Sequence, residues 1–379
     1  MPETTWVSLE RWAAPRGFAP ARKVLQSPIN AYAFSSTNGT LVVQIGSLSA
    51  YWDRIEIRLG FPPRLVGDQV MVHSLDLKKN IEPLVRGMSA SVVRTGVIVI
   101  DPGHGGYNYG TRSVADGRWE KDFTLDWARR LAPLLETNGW QVRLTRNSDV
   151  EVSLQDRVAI SDAHQADFFL SLHFNSPGGS GTGGETAGLE TYCLTPVGMT
   201  STLKRNFPDD PTQFYPNNSF DEQNLQFAAR LHRSMLAANG DVDRGIRRAR
   251  FLTVLQGQRR PAVLIEGGYL SNPREAQRIG EPAYRQLLAE VVARALSGII
   301  PHTNAPPEKK SAPAIVASRT VETNQLKAEI SALQSRSDTL RPDASKLKDE
   351  PETPEGSETN ALRLMKAQPL RLHSPRNVP

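Results

Sequence analysis

The run Val97–Gly106, VIVIDPGHGG, constrains this chain more than any other feature, because it carries an apolar strand straight into a glycine-lined turn that presents His104. The same construction recurs at Phe168–Asn175, FFLSLHFN, where an apolar run ends in His173. A third run, PAVLIEGGYLSN, delivers Glu266 beside Gly267 and Gly268. Short continuous apolar runs read as strands buried on both faces, the signature of a parallel sheet, and in an open parallel sheet the carboxyl ends of the strands form the ligand crevice. His104, His173 and Glu266 are therefore expected to face one cleft.

Ligand counting turns that cleft into chemistry. Catalytic zinc takes three protein ligands of the His and carboxylate kind and leaves a position for water, which it acidifies. His104 and His173 supply two. Glu120, in Trp119–Phe123, opens the amphipathic stretch Leu125, Ala128, Leu131, Leu135 and is taken as the third; an acid there also complements the positive end of the helix dipole. Glu266 then stays off the metal as a general base that takes a proton from water and returns it to the leaving amine. The expectation is metal-assisted amide hydrolysis with one Zn2+ ion as cofactor.

Neighbouring residues carry two readings each. Asp101 is either a partner that orients a ligand histidine or a turn former before Pro102. Asn175 either donates to a substrate carbonyl or braces its loop. Arg247, with Arg248, either meets substrate carboxylates or is solvated. Arg157 is expected to anchor its own helix by ion pairing. His73, His164, His232, His302 and His373 are expected to be structural or solvated, since none is placed at the carboxyl end of a strand.

Three parts follow along the chain. Residues 1–90 hold short alternating runs such as TLVVQIG, RIEIRLGF and VMVHSLDL split by Gly, Pro and Asn, which predicts a small β-rich module with an early helix. Residues 95–301 alternate strands with amphipathic helices. Strands are expected at 97–100, 141–145, 167–172, 189–194, 251–255 and 262–266, and helices at 123–136, 154–163, 224–238 and 283–297. The fold class is α/β, a mostly parallel open sheet flanked by helices on both faces. From residue 302 to 379 the composition turns to Pro, Ser, Lys, Glu and Thr with almost no aromatics, so a disordered tail is expected.

DPGHGG, the acid before the first helix, LTRNSDVEVSLQDRVAISDAHQADFFLSLHFNS, GLETYCL, DRGIRRARFLTVL and PAVLIEGGYLSNPREA resemble, in that order, the zinc-dependent N-acetylmuramoyl-L-alanine amidases of the Amidase_3 type. The resemblance covers roughly residues 96–300. It implies zinc on His104, Glu120 and His173, acid/base work by Glu266, and peptidoglycan as substrate, cut between the lactyl group of N-acetylmuramic acid and the L-alanine of the stem peptide. Asn108 stands where that family often carries Asp, and Gly267 where a bulkier residue is common. Some relatives plug the cleft with a helix until a partner releases it. The corresponding stretch here, Thr195–Glu222, is broken by prolines and asparagines and is expected to be a substrate-lining loop; an activating partner stays open. The N-terminal module loosely resembles the copper amine oxidase N-terminal-like domain, without a copper ligand cluster, and is expected to attach to the wall or pack against the enzyme. A zinc peptidase for ordinary peptides and a non-catalytic wall-binding protein are the competing readings.

The net charge of +5 is dispersed and no nucleic-acid-binding motif accompanies it, so nucleic acid is not an expected partner, whereas an anionic wall suits a mildly basic chain. A lone cysteine, Cys193, falls in an expected core strand as an inert thiol. The opening MPETTWVSLERW shows no charged region followed by an apolar core, so neither a signal peptide nor a transmembrane segment is visible, while peptidoglycan as substrate implies the cell envelope.

Overall fold

The computed structural model describes residues 5–25, 30–88, 96–176, 184–202 and 209–297. The expected tail, 302–379, and residues 89–95 lie outside these. β1 (Trp6–Ser8) leads into α1 (Leu9–Ala13), followed by β2 (Arg22–Leu25), β3 (Ala31–Ser36), β4 (Gly39–Gln44), β5 (Ser49–Trp52) and β6 (Ile55–Arg58). The hairpin β7 (Arg64–Val66) and β8 (Gln69–His73) pairs with β1 as a small antiparallel sheet, and α2 (Ser74–Asp76) continues through a π-helical stretch into α3 (Glu82–Arg86). The second part runs β9 (Gly96–Pro102), α4 (Glu120–Thr137), β10 (Trp140–Leu144), α5 (Leu154–Ala163), β11 (Phe168–Asn175), β12 (Leu189–Cys193), α6 (Asp221–Asn239), β13 (Asp243–Arg248), α7 (Thr253–Gln256), β14 (Ala262–Tyr269), α8 (Pro273–Gly280) and α9 (Pro282–Leu296).

Strands β10, β9, β11 and β14 pair in parallel in that order. β12 then runs antiparallel to β14 and β13 parallel to β12. The sheet is thus mostly parallel, as its buried apolar runs predict. It does not stop there: Ile246 of β13 pairs with Ile57 of β6, and β6 to β2 follow as an antiparallel meander, giving one sheet of eleven strands. The N-terminal β-rich segment therefore continues the catalytic sheet. The physical reason is edge protection: β13 alone would present unpaired backbone groups, and β6 covers them. Asp243 Oδ2 accepts the Glu56 backbone N–H at 2.8 Å, and Arg248 reaches back to the Lys79 carbonyl and Asn80 Oδ1.

The strand expected at 251–255 is absent. The strand is β13, which begins eight residues earlier along DRGIRR, and 253–256 form α7. Arginines made β13 look solvated, but Arg247 and Arg248 are buried, while Val254 and Leu255 pack as a helical turn into a core with Val99, Phe169 and Leu264. α8 was also not expected; it begins on Pro273 under an Asn272 cap. His73 corrects another expectation, since it does end a strand: its Nδ1 accepts from Leu75 N–H and its ring stacks on Phe61, a structural role. Cys193 is buried, as expected, and burial pushes its thiol above the ordinary value.

The two faces of the sheet are covered unequally. α4, α6 and α9 close one face over Phe168, Leu170, Phe174 and Ile265, with Phe168 stacked on Phe227 and Trp127 against Phe174. Truncating a buried aromatic of that kind costs about 3–5 kcal/mol. Gly267 lies beneath Trp127, where a β-carbon would come 2.9 Å from Cζ3; the ring occupies the space a bulkier residue would need. The other face carries the short α5 and α7. Alternate residues along a strand share a face, so His173 follows Phe169 and Ser171, and Glu266 follows Leu264, onto this thinly covered side. The His104 and His173 side chains remain partly exposed there. Among the described residues no helix is long and apolar enough to cross a membrane.

Candidate metal centre

β9 ends at Pro102, and the chain turns through Gly103 into His104, which adopts a left-handed φ of +64°. A non-glycine residue pays about 1–2 kcal/mol for that conformation and keeps it only where its surroundings hold it. Two buried arginines do so. Arg146 donates to the carbonyls of Pro102, Gly103 and Lys121, and Arg157 to those of Pro102 and His104. Burial, reinforced by the charge of Arg157, depresses Arg146 to about 10.

The His104 ring is held at both nitrogens: Nδ1 lies 2.8 Å from Asn108 Oδ1 and Nε2 lies 3.0 Å from Glu120 Oε2, and a ring that keeps its Nδ1–H on Asn108 offers Nε2 to a cation. His173 Nδ1 meets Glu120 Oε1 at 2.9 Å. Glu120 is 3% exposed at the first position of α4, and its two oxygens also accept from the Thr111 and Phe174 backbone N–H groups at 3.0 Å. Burial alone would raise its pKa, but the two imidazoles outweigh burial and hold the carboxylate well below its usual range; reciprocally, Glu120 overcomes the burial of His104 and raises that imidazole. One donor atom from each of His104, Glu120 and His173 lies within 4.8 Å of the others. Donors about 2.0–2.1 Å from a tetrahedral zinc stand roughly 3.3 Å apart, so this neutral-imidazole and carboxylate set fits the ion.

Glu266 stands one strand away. It is in register with His173 on β11 and with Glu190 on β12. Its Oε2 is shielded from solvent and has no hydrogen-bond partner among the described residues. Burial first, then the charges of Glu120 and Glu190, push its pKa well above the carboxylate range.

The remaining expectations fare differently. Asp101 touches neither imidazole; it is a buried hub accepting from Thr145 Oγ1, Ser171 Oγ and Arg157. Asn108, not Asp101, is the hydrogen-bond partner of the His104 ring. Arg157 does more than anchor its own helix, since it ties α5 to Asp101 and to the metal loop. Asn175 spends its amide on Glu190 Oε2 and Tyr269 Oη, which is the bracing alternative. Arg247 turns its guanidinium toward Glu190, at 3.7 Å. Sequence reasoning missed Arg146 and Glu190 as site residues; each lies inside a stretch that carried the family resemblance.

A family model described as N-acetylmuramoyl-L-alanine amidase, Amidase_3, matches residues 98–298. The chain belongs to this family. Peptidoglycan amide hydrolysis is the activity the family name denotes. Similar curated amidases are AmiA of Escherichia coli K12, 28% identical over 221 residues with 52% of this chain and 73% of AmiA covered, and AmiC of Neisseria meningitidis, 32% identical over 242 residues with 58% and 55% covered. The chain thus spans between about half and three quarters of these amidases. Among solved structures, the N-acetylmuramoyl-L-alanine amidase from Clostridium difficile 630 is 30% identical, with 54% of this chain and 96% of that chain covered at a TM-score of 0.43. The amidase match begins within β9 and ends just past α9, so β1–β8 lie outside it.

Proposed function

We propose that this chain hydrolyses the amide bond between the lactyl group of N-acetylmuramic acid and the L-alanine of the peptidoglycan stem peptide, with His104, Glu120 and His173 holding one zinc ion and Glu266 moving the proton. The observation that carries this reading is the shielded Glu266 Oε2, without a hydrogen-bond partner among the described residues, on a residue in register beside His173. Zinc bound there supplies Lewis acidity toward water and the amide carbonyl. Glu266 accepts the proton of the attacking water as its oxygen bonds to the carbonyl carbon. It returns that proton to nitrogen as the C–N bond breaks. Asn108 fixes the His104 ring, and Arg146 and Arg157 fix the backbone that carries it. Asp101 acts through Arg157.

Supporting an open cleft, the described residues of 195–220 contain a single 3-10 turn, Pro216–Phe220, before α6 begins at Asp221, and none hydrogen-bonds to His104, Glu120, His173 or Glu266. The segment lines the approach, and activity needs no releasing partner. The N-terminal strands brace β13, and residues 95–301 form the catalytic domain. Work on peptidoglycan places the protein at the cell envelope.

Digestion of purified sacculi, read by mass spectrometry, tests the reading. Release of intact stem peptides with a free L-alanine amine, abolished by a chelator and restored by zinc, is expected. Cleavage of ordinary peptides with sacculi untouched would favour a general zinc peptidase, and binding without any release a wall-binding protein.

A further inference from the structure

Beside Glu266 lies a cluster of charged side chains, Glu190, Arg244 and Arg247, that the hydrolytic chemistry does not use. Glu190 is 3% exposed and pairs with Glu266 across the antiparallel β12–β14 ladder, so the two carboxyls share the cleft face, with β-carbons roughly 5 Å apart. Glu190 is saturated: Oε2 accepts from Tyr192 Oη and Asn175 Nδ2, and Oε1 from Arg244 Nε at 3.1 Å. Arg247 comes second to the same carboxylate. It is 8% exposed, approaches Glu190 only to 3.7 Å, and its buried Nε has no hydrogen-bond partner among the described residues. Two guanidinium groups therefore converge on one oxygen of Glu190, which is hydrogen-bonded to the first, and Arg247 is left with an unsatisfied Nε donor among the described residues. A buried guanidinium without hydrogen bonds is costly, and its planar fork matches a carboxylate.

Resting on the amidase reading, we infer that Arg247, steadied with Arg244 on Glu190, is the position that recognises a free carboxylate on the leaving peptide, belonging to the acidic residue that follows L-alanine in the stem. The placement supports that assignment, since Arg247 stands two strands from Glu266 with its guanidinium reaching back toward Glu190 on the strand between them, and the carboxylate must lie a few bonds beyond the scissile nitrogen. Charge supports it too, because a substrate carboxylate pairs with a guanidinium that reaches Glu190 only at 3.7 Å, whereas a carboxamide brings no opposite charge. The enzyme then discriminates between stems whose second residue is free and stems in which it is amidated.

The test uses two N-acetylmuramoyl tripeptides identical except for carboxylate or carboxamide on the second residue. With the zinc-loaded full chain, kcat/KM is expected to favour the carboxylate by about 10–100-fold, chiefly through KM. Arg247→Gln should collapse that ratio toward one with zinc content and melting temperature retained, and Arg247→Lys should restore part of it. Equal rates on the two substrates by the parent chain, or an undiminished ratio in Arg247→Gln, overturns the inference. Calorimetric binding of the same pair to Glu266→Gln reads the subsite without turnover: weaker binding of the carboxamide supports it and equal binding overturns it. Failure to cleave either tripeptide would count against the amidase reading, and the calorimetric pair would still decide the subsite.

Discussion

Gly103 lies so close under the His173 imidazole that a β-carbon built on it would come 2.2 Å from Cε1. The strand-to-loop turn after β9 and the end of β11 can converge on one ion only because this position has no side chain. Gly103→Ala is expected to push His173 out of line, so that zinc content falls well below one per chain and activity falls by about 100-fold or more. Elemental analysis of the folded variant checks this; a full complement of zinc would refute the steric account.

Glu266 is separated from the ligand set, so its removal should spare the metal. Glu266→Ala is expected to retain zinc while stem-peptide release drops by about 10²–10⁴-fold, the usual contribution of a general acid/base. Undiminished turnover would remove Glu266 from its role.

Arg157 is the cation against buried Asp101 and a donor to the carbonyl of His104. Arg157→Met leaves Asp101 without its counter-charge in a dry environment. A loss of about 3–5 kcal/mol in unfolding free energy is expected, together with weakened zinc retention. Chemical denaturation with parallel metal analysis would show it, and a shift under 1 kcal/mol would contradict it.

Asp76, behind the N-terminal strands, is pushed up to about 6 by burial, against the hydrogen bonds from Gly60 and Phe61 N–H and Asn80 Nδ2. A carboxyl whose folded pKa exceeds its unfolded value binds more protons when folded. Its contribution is therefore most favourable below about pH 4, declines as pH rises through 6, and levels off above, a change of about 3 kcal/mol. Asp76→Asn removes the titration, so the stability difference between parent and variant should slope across pH 4 to 6 and be flat above 7. A difference that is flat throughout would show that Asp76 does not titrate there.

Much of the architecture was legible because it is local. The span of α5 was read without error at 154–163, and the runs at 97–100, 189–194 and 262–266 are strands, since β-branched and aromatic clusters bounded by glycine and proline leave few alternatives. β13 failed because its burial depends on distant partners: Arg248 is satisfied by Lys79, Asn80 and Leu194, none of which local periodicity can see. Asn108 went unrecognised as the His104 partner because only the αL turn at His104 brings its amide under that ring.

The order of residues along the chain determined the alternation of strands and helices and the strand ends at which His104, His173 and Glu266 stand, because a strand ending in Gly–His or in Glu–Gly–Gly specifies locally what it presents. Only the tertiary structure decided the register that sets His173, Glu266 and Glu190 in one row, the arginine clamp on the metal loop, and the joining of the N-terminal strands to the catalytic sheet. Those depend on pairing between segments far apart in the chain, where backbone hydrogen bonds and the burial of charge against charge, rather than local preference, select the arrangement.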